Sequence, residues 1–166
     1  NDERIMAGQG TCAKEMLEDI PTLDIIVSPV SGGGLLSGTL VASKNMKNSI
    51  KVFGAEPDEA DDAFQSLKHG KIIPNKTINT VCDGLRAEIG SKTFPVIQDL
   101  VDGIETVSEK DILESLRMIW ERMKIIVEPS CSISLAMVIK NSNLFKNKNV
   151  GLIMSGGNVN LNSLLW

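Results

Sequence analysis

The segment Ile25-Ile26-Val27-Ser28-Pro29-Val30-Ser31-Gly32-Gly33-Gly34-Leu35 sets the architecture that we predict for this chain. An apolar run typical of a buried strand leads into three consecutive glycines, and a helix-forming stretch to about Met46 follows. Glycines let backbone N–H groups converge on an anion because no Cβ stands in the way, and the N-terminus of the next helix adds positive charge. This order predicts a phosphate-binding loop, with a glycine-rich turn that holds no ligand as the simpler alternative.

Strands and helices alternate along the rest of the chain. We predict strands at 23–27, 50–55, 104–107 and 150–154, helices at 10–19, 34–46, 61–69, 91–101, 109–123 and 130–140, and a long loop at 71–87. The strands are apolar on both faces, so we predict an α/β fold with a parallel sheet covered by helices on both sides. Residues 1–166 are expected to form one unit, and a loop as long as 71–87 is expected to carry function.

Two helices have distinctive sequence signals. Ser108 and Asp111 predict a capped helix start, followed by an apolar stripe that should face the core. The stripe consists of Ile112, Leu116, Ile119 and Met123. The run from Gly8 to Ala13 superficially matches a dinucleotide fingerprint, but no strand precedes it and no acid lies about 20 residues further on. We interpret it as a glycine-rich helix entry.

Composition excludes several classes of protein. The 166 residues carry a net charge of −4 with scattered basic residues, which argues against nucleic-acid binding. No apolar run approaches the roughly 18 residues that a membrane helix needs. Cys12, Cys82 and Cys131 form no metal or redox motif, so we expect reduced thiols and a cytoplasmic protein. The chain begins at Asn1 without a methionine or signal segment, and we expect a fragment.

A second small and polar turn follows the last predicted strand. Ser155-Gly156-Gly157-Asn158 comes directly after 150–154, as the glycine loop comes after its own strand. The carboxyl ends of parallel strands meet at one edge of a sheet, where α/β proteins bind ligands. We therefore expect both turns to contact one ligand. The nucleotide motif G-x-x-x-x-G-K-[ST] is absent, because Leu35 and Leu36 follow Gly34.

Glu56 and Asp62 form a second group, at the end of one predicted strand and the start of the next helix. The turn between them can bring both carboxylates around a hard cation. The alternative is a solvated helix start, in which Asp61 and Asp62 interact favourably with the helix dipole.

Several short motifs occur together in an order that indicates a family. They are Gly8-Gln9-Gly10-Thr11, Ser31-Gly32-Gly33-Gly34, Asp61-Asp62, Glu121-Arg122-Met123-Lys124, Glu128-Pro129-Ser130 and Ser155-Gly156-Gly157-Asn158. In these motifs the chain resembles the serine racemase and serine/threonine dehydratase family of pyridoxal-phosphate enzymes, of fold type II, and is nearest to its serine racemases. The resemblance implies the carboxyl-terminal part of the large domain of such an enzyme.

The resemblance also implies a role for each motif. The cofactor phosphate would be held by Ser31, Gly32, Gly33, Gly34 and Leu35. Ser155 would meet the pyridine nitrogen, and Glu128 would lie near the ring or only terminate the helix before Pro129. Glu56, the carbonyl of Ala60 and Asp62 would bind Mg²⁺ or Ca²⁺. Lys124 and Asn158 match a nucleotide site between subunits, with ATP as an effector of a homodimer, although a lysine late in an amphipathic helix is more often simply solvent-exposed. The stretch 130–134 departs from the Ala- and Gly-rich sequence usual in the family.

The implied activity is racemisation of a small hydroxy-amino acid such as serine, or its conversion to a keto acid and ammonia. The family's Schiff-base lysine and its opposite-face serine have no counterpart here and would lie upstream, so this chain alone is expected to be inactive. Three alternatives remain: a noncatalytic cofactor-binding remnant, a threonine or hydroxyaspartate dehydratase, and a nicotinamide-binding domain, which would need the missing ribose-binding acid.

Overall fold

The computed structural model describes residues 1–161, in which four strands alternate with helices. The strands are β1 (Ile25–Pro29), β2 (Lys51–Pro57), β3 (Gly103–Val107) and β4 (Val150–Leu152). The helices are α1 (Glu3–Asp19), α2 (Gly34–Met46), α3 (Asp62–His69), α4 (Thr93–Leu100), α5 (Glu109–Met123), α6 (Pro129–Lys140) and α7 (Ser142–Phe145), with a 3₁₀ turn at Asp83–Leu85. No helix in this range is long and apolar enough to cross a membrane.

The four strands form one parallel sheet in the order β3-β2-β1-β4. Ile25 of β1 pairs with Lys51 of β2 on one side and with Val150 of β4 on the other. The chain thus leaves β1 toward one edge of the sheet and returns to the opposite flank of β1 with its last strand. Such a reversal opens a crevice outside the carboxyl ends of the two strands. The glycine loop after β1 and the turn after β4 both border that crevice.

Helices cover both faces of the sheet, as predicted. Ile26 of β1 and Val52 of β2 point into an apolar layer with α1, α2 and α4. Ile25, Val27 and Phe53 point the other way, into a layer with α5, α6 and α7. Alternate residues of one strand therefore enter different layers, which explains why these strands are apolar on both faces.

Helix α1 begins earlier than predicted. Asp2 is its N-cap, with a side chain that accepts a hydrogen bond from the Arg4 amide at 2.9 Å, so the interpretation of Gly8 and Gly10 as a helix entry is wrong. Gly10 lies inside the helix, where α1 crosses α2 at Gly38. A Cβ on Gly10 would come within 2.9 Å of the Gly38 carbonyl oxygen. A glycine here allows a close helix crossing, despite its weak helix propensity.

Helix α5 confirms most of its predicted stripe. Ser108 caps it by accepting from the Asp111 amide at 3.2 Å, and its hydroxyl donates to the Asp111 carboxylate at 2.6 Å. Ile112, Leu116 and Ile119 are buried, but Met123 is 56% exposed and does not belong to the core. Met123 is the last residue of α5, where Lys124 turns the chain with a left-handed φ of 60°.

The crossing of α1 and α2 gives a stability prediction. An alanine at Gly38 would put its Cβ against the Met6 carbonyl oxygen and 2.6 Å from the Gly10 nitrogen, so Gly38→Ala should lower the free energy of unfolding by about 2 kcal/mol. Gly8→Ala is the matched control, because apart from its chain neighbours and the nearby backbone of its own helix, no atom of residues 1–161 lies within 4 Å of that Cβ. Alanine also favours the helix by about 0.5–1 kcal/mol. Urea unfolding measures both. Equal effects of the two substitutions would contradict this packing.

Candidate functional site

The glycine loop has a backbone that only glycine adopts easily. Gly33 has a φ of 84°, and a Cβ there would lie 2.7 Å from the Thr93 hydroxyl. Gly33 is also the N-cap of α2 and provides no side-chain cap. The first helical bond runs from the Ser37 amide to the Gly33 carbonyl at 2.9 Å. The amides from Gly34 to Leu36 thus have no partner inside the helix and can bind an anion.

The two predicted turns line one cavity of about 160 Å³ at the carboxyl edge of the sheet. Its lining residues are Pro29, Ser31, Gly32, Gly33, Gly34, Leu35, Leu36, Gly84, Leu85 and Ser155. The structure therefore brings Ser155 to the glycine loop, at the sheet edge where both turns were expected. The loop amides, the start of α2 and a neutral hydroxyl fit a phosphate-bearing cofactor, because backbone donors converge where no side chain intrudes.

A larger groove of about 440 Å³ lies elsewhere, between α1, α2 and α4. Its wall includes Met6, Val41 and Val96, and no loop from the carboxyl edge of the sheet contributes to it. Size alone would favour this groove as the binding site. We place the candidate site at the smaller cavity, because the backbone amides of the glycine loop and of the start of α2 converge there on an open space.

Sequence reasoning missed Gly84 as a cavity residue. The long loop 71–87 was expected to carry function, but nothing singled out the position within it. The Gly84 amide donates to the Ser130 hydroxyl at 3.0 Å, which ties this loop to the first turn of α6. A Cβ on Gly84 would lie 3.0 Å from the same hydroxyl. The pair Asp83-Gly84 in an otherwise irregular loop was the available signal.

Glu128 holds the turn that carries Ser155. It is the N-cap of α6 and half-buried, and its carboxylate accepts from the Asn158 amide at 2.8 Å. Its own amide donates to the Gly156 carbonyl at 3.1 Å, and a Cβ on Gly156 would lie 2.5 Å from the carboxylate. The structure thus places Glu128 beside the Ser155 turn and at the start of α6. The alternative that Glu128 terminates the preceding helix is wrong, because α5 already ends at Met123.

The unusual residues at 130–134 do not line the cavity. The side chains of Cys131, Ser132 and Ser134 are fully buried and point to backbone carbonyls. Cys131 donates to Gly156 at 3.0 Å, Ser132 to Ile112 at 3.2 Å, and Ser134 to Ile153 at 3.3 Å. Burial raises the pKa of the Cys131 thiol, which keeps the proton that this contact needs. These side chains therefore fasten α6 to its neighbours and do not themselves line the cavity.

The carboxylate of Glu56 is almost completely enclosed, with 1% of the residue exposed. Its two oxygens accept hydrogen bonds from the amides of Ala63 and Phe64, at 3.0 and 2.8 Å, in the first turn of α3. Burial raises its pKa well above the ordinary value, the two amides lower it, and the nearby charges of Asp62 and Asp61 raise it further. Among residues 1–161, no lysine or arginine forms an ion pair with it.

Asp62 is also buried, and its carboxylate accepts from the Asn75 side chain at 2.8 Å and the Ile89 amide at 2.6 Å. Burial raises its pKa as well. Within the described residues, no three His, Cys, Asp or Glu side chains cluster as metal ligands. A cation here would therefore also need a backbone carbonyl oxygen as a ligand. Ala60 is buried in the turn between the two acids, and its carbonyl is the candidate. Two carboxylates and a carbonyl suit Mg²⁺ or Ca²⁺.

Lys124 and Asn158 lie on two loops that contact each other. Both residues are exposed. The loops meet where the Glu128 amide binds the Gly156 carbonyl, and where a Cβ on Gly157 would lie 2.8 Å from the Ile126 carbonyl oxygen. This surface is separate from the cavity lining.

Fold and site together define an α/β protein with a candidate anion-binding cleft at the carboxyl edge of a parallel sheet. Comparison with known proteins specifies the class further, because residues 1–156 match the model of the pyridoxal-phosphate dependent enzymes. The chain belongs to this family. It spans about half the length of the curated relatives it matches.

The similar proteins include serine racemases and a dehydratase. A serine racemase of Arabidopsis thaliana is 51% identical over 171 residues, which cover 99% of this chain and 51% of that protein. A beta-hydroxyaspartate dehydratase of Paracoccus denitrificans is 42% identical, over 100% of this chain and 53% of that protein. The crystal structure of serine racemase from Dictyostelium discoideum has a TM-score of 0.89 at 47% identity, covering 94% of this chain and 51% of that one.

The buried Glu56 gives a pH prediction. Because its folded pKa is raised above the ordinary 4.5, the folded protein keeps a proton that the unfolded chain releases, and stability falls as pH rises above 4.5 toward the folded pKa. Glutamine does not ionise. The unfolding free energy of Glu56→Gln, relative to the unsubstituted protein, should therefore rise with pH through this window.

Urea unfolding between pH 4.5 and 8, with a chelator present, measures this difference. The control is Glu59→Gln, since Glu59 is exposed in the same turn. A flat difference for Glu56→Gln would mean that this carboxylate is not held in a desolvated site.

Proposed function

We propose that this chain forms the cofactor-binding part of an enzyme that racemises a small hydroxy-amino acid such as serine, or removes ammonia from it. The observation that carries the proposal is the single cavity lined by both the glycine loop and Ser155. Pyridoxal phosphate, when bound, would supply an electron sink for negative charge at the substrate Cα. The serine racemase and dehydratase names of the relatives support this class of substrate.

Each part of the cavity has a proposed task. The amides from Gly32 to Leu35 hold the phosphate, and their fixed positions orient the cofactor at little entropic cost. Ser155 offers a neutral hydroxyl to the ring nitrogen, which adds no negative charge there. Glu128 keeps the Ser155 turn in place through the Asn158 amide. These residues bind and orient, and the proton transfers would fall to groups outside this chain.

A hydroxyaspartate or threonine dehydratase is the second candidate, favoured by the 42% identity to the Paracoccus denitrificans enzyme. Assays of the gene product that contains this chain separate the two. L-serine, D-serine, L-threonine and β-hydroxyaspartate would be tested for enantiomer formation and for keto acid release. A noncatalytic remnant would bind the cofactor and show neither activity.

Cofactor binding by this chain is the direct test of the loop. Gly33→Ala should weaken pyridoxal phosphate binding at least tenfold, because alanine resists a φ of 84° and its Cβ would strike Thr93. Gly70→Ala is the matched control, since Gly70 has a φ of 67° at the end of α3 and only Gln98 lies near its Cβ. Isothermal titration calorimetry gives both dissociation constants. Equal weakening by the two substitutions would remove the loop from the proposal.

We also propose that Glu56, the Ala60 carbonyl and Asp62 bind Mg²⁺ or Ca²⁺. The support is electrostatic, because two buried carboxylates lie close together and neither has an ion-pair partner among residues 1–161. A cation would offset the cost of keeping both ionised. The exposed Lys124 and Asn158 are proposed to contact a nucleotide such as ATP where two subunits of a homodimer meet.

Calcium should therefore raise the melting temperature. At 100 times the dissociation constant, a ligand specific to the folded state adds about 2.7 kcal/mol, which for a chain of this size is about 5 °C or more. Glu56→Gln should abolish the shift, whereas Glu59→Gln, exposed in the same turn, should keep it. Differential scanning calorimetry with calcium and with a chelator measures this. A shift retained by Glu56→Gln would place the cation elsewhere.

A further inference from the structure

Residues 87–93, which we call the strap, run between the glycine loop and the acidic pair Glu56 and Asp62. On the loop side, the Ser31 hydroxyl donates to the Ala87 carbonyl at 3.1 Å and accepts from the Ala87 amide at 3.2 Å. The Gly32 carbonyl accepts from the Gly90 amide at 3.3 Å and from the Thr93 hydroxyl at 2.7 Å. The strap thus binds the two residues with which the glycine loop begins.

Thr93 is the central contact on this side. It is fully buried, and its hydroxyl accepts from the Gly90 amide at 3.0 Å while it donates to Gly32. The same hydroxyl and its Cβ lie where a Cβ on Gly33 would fall, at 2.7 and 2.9 Å. Thr93 therefore fixes the carbonyl of one glycine and closes the space beside the next.

The other side of the strap is bound to the acidic pair. The Ile89 amide donates to the Asp62 carboxylate at 2.6 Å, and the Glu88 carboxylate accepts from the Asn75 amide at 3.1 Å. The Asn75 side chain in turn donates to Asp62 at 2.8 Å. A bond to a charged acceptor is about twice as strong as a neutral one, so Asp62 is a firm anchor.

We propose that the strap couples Asp62 to the glycine loop, with Thr93 as the positioning residue. Ile89, held by Asp62, and Gly90, held by Gly32 and Thr93, are adjacent in sequence. One peptide unit therefore connects the two sites, and weakening the bond at Ile89 frees Gly90 to move. An effect of this coupling on cofactor binding rests on the proposed function. The coupling itself involves only residues of this chain.

Amide hydrogen exchange followed by NMR tests the coupling without cofactor and with a chelator present. For each substitution, the exchange rate is measured at strap amides that do not bind the substituted side chain. Asp62→Asn should speed exchange at Ala87 and Gly90, and Thr93→Val should speed exchange at Ile89, each about fivefold, as expected for one weakened buried hydrogen bond. Amides of β1 and β2 report global unfolding and should not change in parallel.

Matched controls exist for both substitutions. Asp61→Asn removes the same charge one residue away, where the carboxylate binds Gln65 instead of the strap. Thr39→Val removes a buried threonine hydroxyl of α2 that has no hydrogen-bond partner among residues 1–161. Both should leave the strap amides unchanged, and Thr93→Ser, which keeps the hydroxyl, should restore slow exchange at Ile89.

Unchanged exchange at Ala87 and Gly90 in Asp62→Asn would overturn the coupling. If that variant does not fold, Thr93→Val decides alone, and an unchanged rate at Ile89 would overturn it equally. A rise at Ile89 that Thr93→Ser does not reverse would also count against Thr93 as the positioning residue.

Titration with inorganic phosphate, followed at the amides of Gly32, Gly33 and Gly34, separates this inference from the proposed function. Thr93→Val and Asp62→Asn should weaken phosphate binding about fivefold, with Thr39→Val and Asp61→Asn unchanged. No response to phosphate in the unsubstituted chain would contradict the proposed anion loop, while the exchange rates would still decide the coupling. Equal phosphate affinity in all variants would limit the strap to a role in stability.

Discussion

The close approach of the Gly33 backbone to Thr93 is the constraint on which the candidate site depends. At 2.7 Å from a would-be Cβ, the Thr93 hydroxyl leaves room for glycine alone, and the φ of 84° sets the same requirement independently. This conformation turns the chain from β1 into α2 so that the first amides of the helix face the crevice between β1 and β4. The site is thus built from backbone geometry, and side chains serve mainly to hold that geometry.

Local patterns in the sequence were sufficient for the fold and for the two turns. Alternating apolar strands and helices predicted a parallel sheet with both faces covered, and the glycine runs after 23–27 and 150–154 predicted a shared edge. Both predictions rest on short-range physics: side-chain periodicity, and the need of a tight turn for glycine. The family resemblance likewise rests on short motifs, and the glycine-rich ones among them set a local backbone requirement.

Features set by contacts distant in sequence were not predictable in this way. Gly10 has a weak helix propensity, and its place inside α1 is explained only by its close packing against Gly38. Met123 continues the apolar period of its helix, yet it is 56% exposed in the part of the chain that the structure describes. Thr93 and Gly84 belong to the site only because the chain returns to it after long loops. Periodicity contains no information about such returns, since they depend on which surfaces the folded chain brings together.

The acidic pair Glu56 and Asp62 is connected to the glycine loop through backbone hydrogen bonds. Glu56 ends a central strand and Asp62 starts a helix, so their carboxylates reach the amides of that helix start and become buried. Burial of like charges is costly, and the protein offsets part of that cost with backbone donors, including the amide of Ile89. Because that donor belongs to the segment that also holds Gly32, the electrostatic balance of one site and the geometry of the other share a single piece of backbone. We therefore expect a change at either site to alter the other through this segment.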